Sequence, residues 1–244
     1  MEKSNFIFGI RAVIEAINSG KTIDKLLVKK GLQGELYKEL AELIKEHSIN
    51  VQSVPEPKLN RITRKNHQGV VAFLSPVPFY DLDEIIARTY ENGDSPFFVY
   101  LDQVSDVRNF GAIVRSAECA GVHAIIVPEK GSAQINADAV KTSAGALHVV
   151  PVCKVKSGHL TLKKLQENGI KIFAATEKAN QLYHQCDYTV PCTIVSGAED
   201  TGISTELLKT ADELIKIPVK GKIESLNVSV ATGVVMFEVV KQRG

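Results

Sequence analysis

Gly221-Lys222-Ile223-Glu224-Ser225-Leu226-Asn227-Val228-Ser229-Val230-Ala231 is the stretch on which the reading of this chain turns. Polar, chemically useful side chains stand directly before a small-residue apolar run that continues through Met236 to Val240. An Asn or Ser at that junction is what a helix start requires, because a side-chain oxygen must accept from backbone N–H groups that lack an intrahelical partner. Taken alone, the stretch also reads as an ordinary capped C-terminal helix. Two segments further out change that balance. One is Leu101-Asp102-Gln103-Val104-Ser105-Asp106-Val107-Arg108-Asn109-Phe110-Gly111-Ala112-Ile113-Val114-Arg115-Ser116-Ala117, and the other is Ile194-Val195-Ser196-Gly197-Ala198-Glu199-Asp200-Thr201-Gly202-Ile203-Ser204.

Composition excludes several classes. With 244 residues, 44% hydrophobic and 23% charged, the chain has the makeup of a globular protein of one large or two ordinary domains. No apolar run approaches the ~20 residues that cross a bilayer, and Met1-Glu2-Lys3-Ser4-Asn5 lacks a signal-peptide pattern, so no membrane and a cytoplasmic location are expected. Cys119, Cys153, Cys186 and Cys192 form no CxxC pair, which suggests free thiols in a reducing compartment. The scattered His and Cys show no ligand spacing, so no metal is expected. Residues 1–75 hold 12 Lys/Arg against 8 Asp/Glu, whereas the remainder holds 17 against 20. A modestly basic small domain on a slightly acidic larger one fits RNA docking to an enzyme, although four excess charges do not define a patch.

Alternating short elements organise the chain. Phe6 to Asn18 has helical spacing, Ile23 to Val28 reads as strand, and Glu35 to His47 as an amphipathic helix. Asn50 to Val54 and Val70 to Leu74 read as strands, with a short helix near Pro57 to Thr63. Ser75-Pro76-Val77-Pro78 ends this domain, since two prolines in three residues continue neither element. Residues 76–95 are expected as a linker with a helical turn or more around Leu82 to Ala87. Phe97 to Leu101 then suits a buried parallel strand. Helices are expected over Ala112–Ala120, Asp138–Ala144 and Leu160–Asn168. Strands are expected over His123–Val127, Leu147–Val152, Lys171–Ala175, Val190–Ser196 and Leu214–Ile217. The class is α/β with a mostly parallel sheet.

Nucleotide-binding signatures fail on inspection. Gly197 to Ser204 has P-loop spacing, but Ile203 replaces the lysine, and Glu199 and Asp200 would repel a triphosphate. No GxGxxG follows Phe97–Leu101, which argues against a dinucleotide oxidoreductase. What the glycines offer is close backbone approach to a ligand beyond a strand end. His123 and His148 read as strand-edge residues. Arg61-Ile62-Thr63-Arg64-Lys65-Asn66-His67-Gln68-Gly69 is the best RNA-contact candidate of the small domain, and Lys29-Lys30 a second; both also read as solvated loops.

In chain order, the segments Leu101–Ala117, Ile194–Ser204 and Gly221–Ala231 resemble motifs 1, 2 and 3 of the SpoU/TrmH family of RNA ribose 2′-O-methyltransferases, within the SPOUT superfamily. The resemblance covers roughly Phe97 to Gly244. The N-terminal third is similar to the small RNA-binding domain of members that modify large-subunit ribosomal RNA. It implies a trefoil-knotted, mostly parallel α/β domain at 96–244, whose final segment threads a loop, preceded by a smaller α/β RNA-binding domain at 1–75. Periodicity alone would suggest an unknotted sheet.

The same resemblance implies S-adenosyl-L-methionine as cofactor, read by the backbone at Gly197, Ile217 and Leu226. It implies a catalytic set of Arg115, Asn109, Glu199, Ser225 and Asn227. Arg115 matches the residue proposed in the family to activate the 2′-OH, but a guanidinium pKa above ~12 suits it better to holding the target phosphate and ribose oxygen. Asn109 can orient a hydroxyl or Arg115, and otherwise reads as a helix cap. Glu199 suits positioning of Arg115 or another donor, and otherwise reads as a loop acid. Ser225 and Asn227 match positions near the methyl group and target nucleotide. The expected partners are RNA, ribosomal first and tRNA as the alternative, and a second copy of the chain, with guanosine the expected base. A non-catalytic ribosome-assembly factor of the same fold would be signalled by loss of Arg115, Glu199 or Asn227, and all three are present.

Overall fold

Phe6-Ile7-Phe8, expected within a helix reaching Asn18, instead form a strand, β1 (Phe6–Phe8), and helix α1 (Ile10–Asn18) starts only after Gly9. Aromatic and β-branched residues favour the extended chain, and Gly9 at φ 92° turns it sharply. The structure is a computed structural model that describes residues 6–47, 49–223 and 225–244. The Glu224 position therefore lies outside the described residues. The chain divides into two compact units, the first running to Pro78 and including Ile135–Ala137, the second comprising Phe79–Gln134 and Asp138–Gly244.

The first unit continues with β2 (Ile23–Lys29), α2 (Glu35–Glu46), β3 (Val51–Val54), α3 (Glu56–Ile62) and β4 (Val70–Leu74). Among the described residues its sheet runs β1-β4-β2-β3, with β4 antiparallel to both neighbours and β2 parallel to β3. Helices α1 and α2 cover one face through Val13, Ile14 and Leu40, set on Leu26, Val28 and Val70. Helix α3 covers part of the other through Leu59, set on Leu27, Val54 and Val71.

The second unit comprises α4 (Leu82–Glu91), β5 (Phe97–Asp102), α5 (Val107–Cys119), β6 (Ala124–Pro128), α6 (Ala137–Thr142), β7 (Val152–Val155), α7 (Gly158–Glu167) and β8 (Lys171–Ala175), followed by β9 (Gln181–Leu182), β10 (Cys192–Gly197), α8 (Thr205–Thr210), β11 (Glu213–Lys216) and α9 (Val228–Arg243). Its strands are parallel, in the order β7-β6-β5-β10-β8-β11-β9. Every residue of β5 is buried, as a central strand covered on both faces must be. Ile85 of α4, Leu162 of α7 and Leu207 of α8 pack with Phe98 and Tyr100 on one face. Helices α5 and α9 pack together, and α9 also lies on β10.

Three expectations need correction. Residues 76–95 are not a free linker over their length, because Leu82, Ile85, Ile86 and Thr89 of α4 are buried and the first three join the core of the second unit. Strand β7 begins at Val152, not Leu147. Gly145 at φ 88° and the Ser143 hydroxyl, which accepts from Leu147 N, instead close a 3-10 turn over Ala146–His148 that leaves His148 exposed. Helix α5 starts five residues before Ala112 because the Asp106 carboxylate caps it, accepting from Arg108 N at 2.8 Å and Asn109 N at 2.9 Å. Helix α8 and strand β9 had no counterpart in the sequence reading.

Candidate active site

Strands β5 and β10 lie side by side in parallel, with Gly197 opposite Asp102, so the loops that leave them emerge together. Open parallel sheets place ligands at this edge, beyond the carboxyl ends of the strands. The loop after β10 is tied back twice. Gly202 N donates to Ala198 O at 2.9 Å, and Ser204 N donates to the buried Asp102 carboxylate at 2.7 Å. A Cβ on Gly197 would stand 2.1 Å from Gly202 C, so no larger residue fits where the loop folds back on its strand.

Asn227 caps α9 as its sequence context suggested: Oδ1 accepts from Ser229 N at 2.9 Å, Val230 N at 3.4 Å and the Ser229 hydroxyl at 2.5 Å. Its amide nitrogen works in the other direction, donating to Asn109 Oδ1 at 3.0 Å and Glu199 Oε1 at 2.5 Å. One side chain therefore joins three segments that lie up to 118 positions apart in the chain. The helix reading and the functional reading of Asn227 are not alternatives, since its oxygen does one job and its nitrogen the other. Glu199 finds its donor in Asn227 rather than in Arg115. Beneath this joint the Thr232 hydroxyl donates to Val228 O at 2.7 Å and pairs with the Ser196 hydroxyl at 2.8 Å, pinning α9 to β10.

Beside Asn227 lies a cavity of about 410 Å³, within the size range of small-molecule sites. Gly197, Ile217, Leu226, Ser225 and Glu199, all singled out from the sequence, line it. Ala175 to Lys178 at the end of β8, which are not among the site residues expected from sequence, form a further wall. No motif marks that segment; it reaches the cavity because β8 lies between β10 and β11. Apolar side chains, a glycine without a Cβ, and backbone at strand ends suit a flat, uncharged ring with a polar rim, and the adenosyl portion of S-adenosyl-L-methionine has that chemistry.

Arg115 is not drawn into the cluster. It is exposed and makes no hydrogen bond or ion pair with a described residue. Six positions beyond Asn109 on α5, it is turned by about 240° around the helix axis. The basic segment of the first unit also divides. His67 is buried, with Nδ1 accepting from Gly69 N at 3.0 Å and Nε2 paired with Asn60 Oδ1 at 2.9 Å. Gln68 Oε1 accepts from Ile10 N at 3.1 Å at the start of α1. These two hold the domain together, which leaves Arg61, Arg64, Lys65 and Asn66 as its exposed RNA-contact candidates.

Residues 96–237 match the family described as SpoU rRNA Methylase, and residues 6–80 match the domain described as RNA 2′-O ribose methyltransferase substrate binding. A curated relative from Bacillus subtilis, named a putative TrmH family tRNA/rRNA methyltransferase, is 32% identical over 242 residues, spanning 99% of this chain and 97% of that one. Among solved structures, the SpoU methyltransferase AviRb from Streptomyces viridochromogenes, in complex with AdoMet, superposes with a TM-score of 0.62 at 24% identity, covering 98% and 90% of the two chains. An AdoMet-bound rRNA methyltransferase from Sinorhizobium meliloti has a TM-score of 0.59 at 25% identity, covering 97% and 86%. With three motif segments joined at Asn227 and both domains matched, the chain belongs to the SpoU/TrmH family of RNA 2′-O-ribose methyltransferases.

Proposed function

We propose that this enzyme methylates a ribose 2′-OH in 23S, large-subunit ribosomal RNA, at a guanosine. The observation that carries the methyl-transfer reading is the Asn227 amide bridging Asn109 and Glu199 beside the cavity, and the match to the family described as SpoU rRNA Methylase supports the ribosomal substrate. S-adenosyl-L-methionine supplies an activated methyl group with a good leaving group. Gly197, Ile217 and Leu226 hold the cofactor through backbone and apolar contact. The protein's remaining task is alignment of the hydroxyl and management of its proton. Asn227, oriented from both sides, and Ser225 define where the target ribose sits. Glu199 fixes the orientation of the Asn227 amide and so holds the three motif segments together beside that position. Arg115 holds the target phosphate and ribose oxygen through its planar fork.

The exposed position of Arg115 supports a homodimer in which it serves an active site at the subunit interface. Val230 and Phe237 of α9 are 51% and 48% exposed, an apolar surface that a two-fold partner would bury. The knot is proposed on family grounds, supported by the insertion of β10 between β5 and β8. The setting is cytoplasmic; among the described residues no helix is long and apolar enough to cross a membrane. A tRNA substrate is the second reading, favoured by the tRNA/rRNA name of the Bacillus subtilis relative.

Mapping 2′-O-methyl sites in rRNA and tRNA from cells with and without the protein tests the assignment. One large-subunit site should vanish and return with the wild-type chain but not with Arg115→Ala, while cofactor affinity of that variant stays unchanged. Loss confined to tRNA would overturn the ribosomal reading. Light scattering at 26.6 kDa, independent of concentration and with full activity, would overturn the dimer.

A further inference from the structure

The first unit is electrically divided by its own sheet. Helices α1 and α2, on one face, carry Glu15, Glu35, Glu39, Glu42 and Glu46 against only Arg11, Lys38 and Lys45. The α3 side carries Lys25, Lys29, Lys58, Arg61, Arg64 and Lys65, and the acids among the described residues of β2, α3 and the loop after α3 are Asp24, which is buried, and Glu56, which pairs with Lys29 at 2.6 Å.

Helix α3 covers only part of that basic side, and the uncovered part is aromatic. Phe6, Phe73 and Lys25 stand opposite one another on β1, β4 and β2, so they form one row across the sheet with their side chains on the same face. Phe8 follows in the next row, opposite Val71. The Phe6 ring lies 6.0 Å from Phe73 and 6.3 Å from Phe8, and all three phenylalanines are only partly buried. Lys25, next to Phe73 in the row, is exposed.

We infer that this aromatic row is a stacking platform for an unpaired base of the RNA substrate, with Lys25 on the adjoining phosphate and the α3 cations along the flanking backbone. The inference rests on the RNA-methyltransferase reading and adds where the small unit grips its substrate. An apolar ring face beside cations fits a nucleobase on a phosphate chain; an apolar peptide or lipid tail would leave the cations without partners. Phenylalanine reads no base edge, so the row contributes affinity and position more than sequence choice.

The chain contains no tryptophan, so Phe73→Trp in the full-length protein is a clean reporter. Oligoadenylate of about ten nucleotides should quench its emission more than oligouridylate of the same length, because purines stack more strongly. Inorganic polyphosphate, which meets the cations but has no bases, should bind without that quenching. Phe6→Leu keeps the surface apolar yet should weaken oligoadenylate binding about 5- to 100-fold. Lys25→Gln should lower the salt slope by about 0.7, and in both variants binding of S-adenosyl-L-methionine should be unchanged. RNA bound with unchanged emission, or at unchanged affinity by Phe6→Leu, overturns the platform and leaves the methyltransferase reading intact. A full-length chain that binds no RNA at all overturns both.

Discussion

Replacing Asn227 with aspartate alters one group at the joint of the site. The capping oxygen survives, since a carboxylate accepts from Ser229 N and Val230 N as well as an amide does, and its charge suits the positive end of α9 by about 0.3–1 kcal/mol. The donor does not survive. Nδ2, now bonded to Glu199 Oε1 and Asn109 Oδ1, becomes a second oxygen facing two acceptors. Carboxylates about 4 Å apart repel by about 1 kcal/mol in water and about 4 kcal/mol at an effective dielectric of 20. Both residues are exposed, so screening keeps the penalty near the lower figure. With the lost hydrogen bonds included, Asn227→Asp should cost about 1–2 kcal/mol at neutral pH, or roughly 2–8 °C in the unfolding midpoint.

The sign of the pH dependence follows. An introduced carboxyl beside Glu199 holds its proton to higher pH than an isolated aspartate, so the penalty is complete at high pH and fades as pH falls toward about 4. Asn227→Ser retains a capping oxygen without new charge but loses the same two hydrogen bonds, so it should be less stable than wild type by about 1 kcal/mol, with no dependence on pH across the range. Methyl transfer should fall at least about ten-fold in both, because neither restores the bridging amide. Thermal unfolding from about pH 4 to 8, with single-turnover assays, separates the two effects. If Asn227→Asp is as stable as Asn227→Ser at about pH 8 and no gap closes on acidification, the pairing of Asn227 with Glu199 is wrong.

Gly197→Ala should abolish measurable S-adenosyl-L-methionine binding in calorimetry, because its Cβ would overlap the Gly202–Ile203 backbone that shapes the cavity. Arg243→Lys should lower the midpoint of the second unit by about 2 kcal/mol or more, since the guanidinium donates to Tyr188 O, Ser95 O and Val190 O at 2.9, 2.8 and 2.6 Å and lies 5.3 Å from the Phe97 ring; denaturant titration checks this. Burial holds the His123 imidazole below its ordinary pKa, against the opposing pull of Asp94, so its stabilising contribution is present above about pH 6.5 and lost on acidification. His123→Asn, whose oxygen can still accept from Phe97 N, should flatten that part of the stability–pH curve.

Much of the fold was legible in local pattern. Phe97 to Asp102 reads as a buried strand because all its residues are apolar until the terminal carboxylate. Val228 onward reads as a helix because Asn227 precedes it. Phe6 to Phe8 misled, since an apolar triplet next to a helix shares its periodicity and only pairing with Phe73, Ala72 and Val71 makes it a strand. Leu147 to Val150 misled similarly, because a left-handed Gly145 sets the turn and pattern does not reveal backbone handedness.

By itself the sequence determined the alternation of elements, the three motif segments and thus the residues around the cavity, because these depend on spacing and side-chain chemistry along the chain. Only the tertiary structure decided which of them meet. Strand order places β10 against β5 and β8, and so sets the Ala175–Lys178 wall beside Gly197. It turns Glu199 to Asn227 while Arg115 stays exposed on α5, and it commits His67 and Gln68 to holding the first unit together. Those outcomes depend on distances between residues far apart in the chain, which close only when parallel strands are ordered across a sheet and helices are seated on its faces.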